Sequence, residues 1–366
     1  MWQIGGSWSG IEFAFMRPRH RLFAAGIAAI SAARADRWLR NLAQGLGIVL
    51  MFHHIRPRRK DAFAPNQLLE ITPEFLTTVI AELRREGFDI VPIATVPDRL
   101  RSNRRSRPFA VLTFDDGYRD NVEYAWPIFR QCRIPWTIFV TTEFADGRGH
   151  LWWLELEQAI ARLDRVVISH SGEELSLPSR TLGEKQAAFH AVYRQLRTGT
   201  MERLRTVTAD LASQAGFISN RLAAEFCLSW DELRDLARDP DVTIGAHTLS
   251  HPVLAKLDTT AAVREIAESK ALLERRLGRS VRHFAYPFGD RISAGRREFR
   301  LVRDLGFATA VTSRPGHLFS DHADYLNALP RVSINGLFQN RAALRALFSG
   351  VPFLLWNRGR VAEIEK

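Results

Sequence analysis

The sequence is short of cysteine, of long apolar runs and of linker-like segments, and each shortage argues against a class of protein. Cys132 and Cys227 are the two cysteines among 366 residues. They lack the C-x-x-C spacing of a zinc or redox site, so we interpret both as core thiols and expect no disulfide framework. No uninterrupted run of about 20 apolar residues occurs, which argues against a transmembrane helix. The absence of a Pro/Ser-rich linker and of a fixed-period repeat favours one large domain.

Acidic residues are outnumbered, with 40 Asp and Glu against 51 Lys and Arg and a net charge of +11. Such a balance is found in proteins that bind nucleic acid or an anionic membrane surface. The basic residues are spread through the chain, with clusters at 56–60 and 101–107. No nucleic-acid motif accompanies them, so we interpret the charge as a solvated surface and expect no nucleic-acid partner.

The N-terminal region allows two interpretations. From Met16 the text MRPRHRLFAAGIAAISAARA has a basic head, a short apolar stretch and a small-residue end, like a secretory signal. Phe23, Ile27, Ile30 and Trp38 also recur at helical spacing, which predicts an amphipathic helix packed on the domain or in peripheral contact with a membrane. We favour the helix and expect a cytoplasmic or inner-membrane-associated protein, with export left open.

Apolar runs that read as strands alternate with helical patterns along most of the chain. This rhythm predicts an α/β fold with a parallel sheet, either doubly wound or closed into a barrel. The segment from about 146 to 226 interrupts the rhythm with several helices and a polar strand-like piece, which predicts an insertion over the mouth of the barrel. The predicted strands are 47–54, 88–93, 109–114, 135–142, 242–247, 283–288, 307–312 and 329–334.

Two adjacent carboxylates, Asp115 and Asp116, directly follow the predicted strand 109–114. The carboxyl ends of parallel strands form the functional face of such folds. One carboxylate can bind a cation there while its neighbour, kept ionised by the ion, takes a proton. The alternative is a plain Asp-Asp-Gly turn whose carboxylates bind backbone groups.

Two histidines, His247 and His251, lie at the end of the predicted strand 242–247 and just after it. Imidazoles four residues apart can converge on one ion if the chain turns there. Pro252 disfavours the helical region for His251, so we expect a short turn in place of a regular helix. With Asp116 they supply three N/O ligands and leave positions open, which is typical of a catalytic metal centre.

Two further segments carry weaker signals. The aromatic stretch HFAYPFGD at 283–290 fits a core strand and turn, yet Tyr286 or Phe288 could pack against sugar rings. Arg331, in LPRV at 329–332, could pair with a carboxylate or lie exposed at the surface.

The motifs TFDDGY, H-T-x-x-H and Y-P-F-G, in this order and at successive strand ends, resemble the polysaccharide deacetylase family, the NodB-homology domain of carbohydrate esterase family four. The similarity covers roughly residues 47–340. It implies a distorted (β/α) barrel, usually of seven strands, at 47–345, between an N-terminal helical extension at 1–46 and a C-terminal tail at 346–366. It also implies hydrolytic removal of N-acetyl groups from an N-acetylated glycan.

The resemblance implies a role for individual residues. Asp115 is the base, and Asp116, His247 and His251 hold a divalent metal, with zinc expected and cobalt, nickel or iron as alternatives. Tyr118, Tyr286, Pro287 and Phe288 would contact substrate.

The chain departs from the family pattern at two places. Ala285 stands where the best-known members carry an Arg, and no clear L-x-H motif supplies the acid. We therefore predict that Arg331 orients Asp115 and that His317 is the acid. His53 and His54 are expected to support the site from one face of the first strand.

Three other functions compete with this prediction. A carbohydrate-binding relative could keep the metal site and lack a working acid. A metallohydrolase acting on O-acetyl esters or a non-sugar amide would use the same metal and base. A nucleic-acid-binding module is supported by net charge alone.

Overall fold

The computed structural model of the protein describes residues 18–102, 107–170 and 173–357. Residues 1–17 of the predicted N-terminal extension and 358–366 of the predicted tail lie outside the described residues. The strands are β1 (Gly47–Phe52), β2 (His54–Ile55), β3 (Glu70–Ile71), β4 (Asp89–Ile90), β5 (Phe109–Phe114), β6 (Trp136–Val140), β7 (Arg165–His170), β8 (Glu173–Pro178), β9 (Val242–Ala246), β10 (His283–Ala285), β11 (Thr309–Pro315) and β12 (Leu329–Ser333).

The helices fill the connections between strands and both ends of the described chain. They are α1 (Pro18–Ala32), α2 (Ala35–Trp38), α3 (Arg40–Ala43), α4 (Pro73–Arg85), α5 (Val96–Arg101), α6 (Trp126–Cys132), α7 (Thr142–Ala145), α8 (Trp152–Arg162), α9 (Leu182–Thr198), α10 (Met201–Gln214), α11 (Leu222–Phe226), α12 (Trp230–Leu236), α13 (Thr259–Leu277), α14 (Arg296–Asp304), α15 (Arg341–Ser349) and α16 (Val351–Trp356).

Seven parallel strands close into a barrel in the order β1-β12-β11-β10-β9-β6-β5, and β5 returns to β1. The closing pair is in full register from Gly47↔Phe109 to Phe52↔Phe114. Strand β4 pairs with the beginning of β5, and β6 pairs with its end. The predicted barrel is confirmed, and all seven carboxyl ends meet at one mouth.

Local sequence signals explain where individual helices begin and end. Thr72 caps α4 by accepting a hydrogen bond from Phe75 N at 3.2 Å, and Pro73 occupies the first position, where no amide hydrogen is needed. Helix α13 ends at Gly278, whose φ of 66° lies in the left-handed region that glycine adopts without steric cost.

The barrel strands are buried on both faces, as their nearly continuous apolar sequences require. The outward faces of β1 and β5 pack against helices through residues such as Leu50, Phe52 and Phe114. The inward faces form a separate core that contains Val49, Val111 and Phe139.

The segment that interrupts the strand rhythm folds into α8 to α11 and the antiparallel pair β7–β8. Its own apolar core includes Trp152, Trp153 and Phe189, and extends to Tyr118 and Phe144 at the barrel mouth. The insertion therefore covers one side of the mouth.

Helix α1 packs through Ile27 and Ile30 on a cluster with Phe338, Ala343 and Val351. Among the described residues, no helix combines the length and the apolar character needed to cross a bilayer.

Candidate metal centre and active site

The predicted site residues follow the strands that bound the mouth of the barrel. Asp115 and Asp116 follow β5, His247 follows β9, and Arg331 lies within β12. The amide of Asp115 still donates to Phe52 O at 3.0 Å, so the β1–β5 ladder extends to the first carboxylate. Asp115 is therefore held by the sheet as well as by the turn that follows it.

The backbone is strained at the site. Asp116, Thr248, His251 and Phe288 have φ values of 71°, 68°, 59° and 62°, in the region that side chains with a Cβ rarely adopt. Four such residues around one mouth indicate that the surrounding structure fixes them in position, as is common at functional sites.

The loop that carries the two histidines is held by Glu265 of α13. The Glu265 carboxylate accepts from the amides of Leu249 and Ser250, both at 3.0 Å, and from the Ser250 hydroxyl at 2.7 Å. The His251 amide donates to Thr248 Oγ1 at 3.0 Å. The loop is a turn without regular helix, as expected from the presence of Pro252 after His251.

Asp116, His247 and His251 converge, with one ligand atom of each lying within 4.8 Å of the others. The Nε2 atoms of His247 and His251 are 3.4 and 3.3 Å from the same oxygen, Asp116 Oδ1. That buried oxygen has no normal hydrogen-bond partner among the described residues. A buried carboxylate oxygen facing two imidazole nitrogens is an arrangement that a cation would satisfy.

The orientation of His247 fits the same role. Its Nδ1 donates to the Ala285 carbonyl at 2.7 Å, which leaves the lone pair of Nε2 directed at Asp116. Metal-binding histidines are fixed in this way by a hydrogen bond from their other nitrogen. The residues present therefore fit a divalent ion bound by one oxygen and two nitrogens.

Electrostatics keep these groups in the protonation states that metal binding needs. Burial lowers the pKa of His251 to about 3, although the charge of Asp116 opposes the shift. Burial raises the pKa of Asp116, but the contact with His247 and the nearby imidazoles outweigh it, so the pKa lies well below its usual range. At neutral pH the carboxylate is ionised and His251 is neutral.

Asp115 is bound in a bidentate ion pair by Arg331. Arg331 Nη1 and Nη2 donate to Asp115 Oδ1 and Oδ2 at 2.8 and 2.6 Å, and Arg331 Nε donates to Thr312 O at 2.7 Å. Both side chains are almost fully buried. Burial raises the pKa of Asp115, but the guanidinium lowers it by more than burial raises it, so the carboxyl stays ionised. The structure thus brings together the pair expected from the sequence.

Aromatic rings from the insertion and from the barrel mouth cover His251. The ring of Trp153, from the insertion, lies 5.0 Å from its imidazole, and those of Phe144 and Phe288, from the barrel mouth, lie 6.0 and 4.8 Å away. Arg197, from α9 of the insertion, stacks over the Phe288 ring at 4.0 Å. His251 is therefore bordered by aromatic rings, with the Arg197 guanidinium at the edge of the Phe288 ring.

The prediction for His317 is wrong. Its Nδ1 accepts from Gly45 N at 3.2 Å, and its Nε2 donates to Leu347 O at 2.8 Å. Gly45 precedes β1, so His317 is buried at the end of the barrel where strands begin, opposite the mouth. It cannot protonate a leaving group at the site.

Three of the four predicted substrate contacts are also corrected. Tyr286 is buried in the outer core and donates to Asn327 O at 2.8 Å, and Pro287 is buried too. Tyr118 borders the site but is covered by Trp153, which donates to its hydroxyl at 3.2 Å. Only Phe288, among these four, keeps accessible surface beside His251.

His53 and His54 do not share one face, contrary to the expectation. His54 is buried, stacks on Tyr118 at 3.6 Å and pairs with Asp120 at 2.7 Å. His53 retains accessible surface, and the charges of Asp115 and Asp116 act on it: burial lowers its pKa, and the two carboxylates oppose that shift. His53 therefore belongs to the site itself.

Sequence reasoning missed Glu265 and Trp153. No local motif indicates either residue, because each reaches the site from a helix outside the motifs, Glu265 from α13 and Trp153 from α8. His53 did have a signal, since it directly follows a buried strand, as Asp115 and His247 do.

Comparison with known proteins adds a family and a fold. The sequence model of the family described as polysaccharide deacetylase matches residues 102–310, more than half of the chain. No curated protein matches it in sequence. A Streptococcus pyogenes deacetylase, PplD in complex with acetate, is similar with a TM-score of 0.51 and 16% identity, over 79% of this chain and 92% of that one. IcaB from Ammonifex degensii is similar with a TM-score of 0.50 and 17% identity, over 84% and 97% of the two chains. At such identities these two likenesses show a shared fold.

Proposed function

The chain belongs to the polysaccharide deacetylase family, hydrolases of carbon–nitrogen bonds other than peptide bonds, and we propose that it is a metal-dependent N-deacetylase with Asp115 as base. The observation that carries the proposal is the convergence of Asp116, His247 and His251 beside the ionised Asp115. An N-acetylated poly- or oligosaccharide is the proposed substrate.

Asp116, His247 and His251 would hold the ion, with zinc as the expected metal and cobalt, nickel or iron compatible with the same N/O donors. A divalent ion there would polarise the acetamide carbonyl and make water a better nucleophile. The aromatic wall of Trp153, Phe144 and Phe288 would exclude bulk water from this position.

Asp115 takes the proton of the attacking water. Its ion pair with Arg331 fixes both carboxylate oxygens and keeps them ionised, so the proton acceptor is oriented before substrate binds. Because Nη1 and Nη2 of Arg331 each donate to one carboxylate oxygen, Asp115 cannot rotate without breaking two charged hydrogen bonds.

His53 is our candidate for the group that returns a proton to the leaving amine. It lies at the end of β1, next to the carboxylates of β5, and keeps accessible surface. Its lowered pKa makes it neutral at rest, so it would act by relaying the proton that Asp115 removes from water.

The test measures acetate release from N-acetylglucosamine oligomers by protein stripped of metal with a chelator, before and after metal is added back. We expect activity to return with zinc or cobalt. Asp115→Asn should keep the metal and lose at least about a hundredfold in kcat, whereas Asp116→Asn should lose the metal itself. His53→Gln should keep the metal and lower kcat.

Failure of the restored wild type to release acetate would reject the deacetylase in favour of a glycan-binding protein. Faster release from O-acetylated than from N-acetylated oligomers would reject it in favour of an esterase.

A further inference from the structure

The helices at the two ends of the described chain expose three large apolar side chains. Trp38, Leu42 and Trp356 are 67%, 64% and 51% exposed, respectively. They lie on what we call the terminal helical layer, formed by α1 to α3 and by α15 and α16. These helices contact one another and share a core through Ile27, Ala43 and Val351, so the layer is one packed unit.

The layer adjoins the end of the barrel opposite the candidate active site. Helices α2 and α3 lead into β1, and the side-chain amide of Gln44 donates through Nε2 to Phe348 O of α15 at 3.1 Å. Six residues of β1 then separate this end from the carboxylates, a length of about 20 Å. A partner bound at Trp38 and Leu42 would leave the mouth of the barrel free.

The layer contains more basic than acidic residues. Residues 18–43 contain five arginines and one acidic residue, Asp36, and residues 341–357 contain two arginines and no acid. Three of these arginines are in ion pairs, Arg345 with the buried Asp36 at 3.8 Å, Arg40 with Glu86 at 2.5 Å and Arg341 with Glu82 at 3.5 Å. Arg34 and Arg37 are exposed on the segment that carries Trp38.

We propose that the terminal helical layer docks on a membrane surface that contains anionic lipid headgroups. Trp38, Leu42 and Trp356 would enter the headgroup region, while Arg34 and Arg37 contact the headgroup phosphates. The charge disfavours a second copy of this chain as the partner, because two basic layers repel each other. Exposed tryptophan and leucine side chains favour a bilayer over nucleic acid, whose backbone offers them no apolar environment.

Docking in this way directs the active-site mouth away from the bilayer. The substrate that suits this geometry is a glycan that extends from the membrane surface into solution. The docking proposal stands independently of the proposed deacetylase reaction, because its test measures no catalysis.

The test is cosedimentation of the full chain with vesicles of phosphatidylcholine alone, or of equal parts phosphatidylcholine and phosphatidylglycerol. We expect binding to the anionic vesicles that weakens as salt rises. Replacing Trp38, Leu42 and Trp356 together by Ser should weaken it about a hundredfold. Replacing Arg34 and Arg37 by Gln should weaken it about thirtyfold.

The matched control replaces Ile218 and Ile292 by Ser. These side chains are 55% and 67% exposed and lie outside the terminal helical layer, so binding should not change. The proposal is wrong if wild-type protein does not bind anionic vesicles. It is also wrong if the triple-Ser variant binds them as tightly as wild type, which would assign binding to another part of the chain. The proposal would also be overturned if wild type and the triple-Ser variant bound duplex DNA equally well and more tightly than they bind vesicles. A lipid-free dimer that the triple substitution dissociates would do so too.

Discussion

Arg331→Met should change both the acid limb of the pH–rate profile and the stability of the protein. Arg331 gives Asp115 two charged hydrogen bonds, at 2.8 and 2.6 Å, in a position where the two residues are 1% and 3% exposed. Removing one member of such a buried pair costs about 3–5 kcal/mol, because the other charge is left without a partner.

Asp115 can reduce that cost by binding a proton, so part of it becomes a rise in pKa. In the native protein the pKa of Asp115 is lowered. Its ionised form therefore stabilises the folded state at pH values above the pKa of this aspartate in the unfolded chain, and the stabilisation is lost as pH falls. Without the guanidinium the strongest opposing influence is gone, so burial, the largest cause, raises the pKa against the weaker effects of His247 and His53. About 3 kcal/mol corresponds to about two pH units. We expect the acid limb of kcat/KM to move up by about that amount.

The assay measures acetate release between pH 4 and 9, with urea unfolding at each pH. Arg314→Met is the matched control, since Arg314 is 5% exposed on the neighbouring strand and donates to Ala294 O at 2.8 Å. It should lower the urea midpoint and leave the acid limb in place. Adding Asp115→Asn to Arg331→Met should recover stability and no activity. If Arg331→Met kept both the wild-type acid limb and the wild-type midpoint, the role assigned to the ion pair would be refuted.

Two further predictions concern the histidine loop and the opposite end of the barrel. Glu265→Gln should weaken metal affinity by about 10- to 100-fold without removing a ligand, because Glu265 holds the amides of the loop. The control is Glu268→Gln, on the exposed face of the same helix, which should leave metal affinity unchanged in titrations. Equal metal affinity of Glu265→Gln and wild type would contradict the assignment. Burial lowers the pKa of His317 to about 4, so stability is present above the unfolded value of about 6.5 and lost as pH falls toward 4. His317→Gln should reduce that loss by about 3 kcal/mol at most in urea unfolding at pH 7 and pH 4, with kcat unchanged; a fall in kcat at constant stability would restore His317 to the mechanism.

Much of the fold could be predicted from local sequence, because strand periodicity and helix caps are properties of a few neighbouring residues. The strand and helix rhythm, the cap at Thr72 and the stop at Gly278 are all found in the structure. The α/β barrel, the family and the enzyme class are confirmed. The alternation of strands and helices did not distinguish a closed barrel from a doubly wound sheet, because the pairing of β1 with β5 that closes the barrel joins residues about 60 positions apart.

For the site, sequence supplied residue types and strand ends, and only the tertiary structure decided which of them meet. Asp116, His247 and His251 are adjacent because parallel strands place their carboxyl ends at one mouth. Arg331 reaches Asp115 because β12 and β5 both flank β1. His317 and Tyr286 have suitable chemistry, yet their partners, Leu347 and Asn327, hold them away from the mouth. The physical reason is that side-chain chemistry is local, whereas burial and distance depend on contacts between segments that lie far apart in the chain.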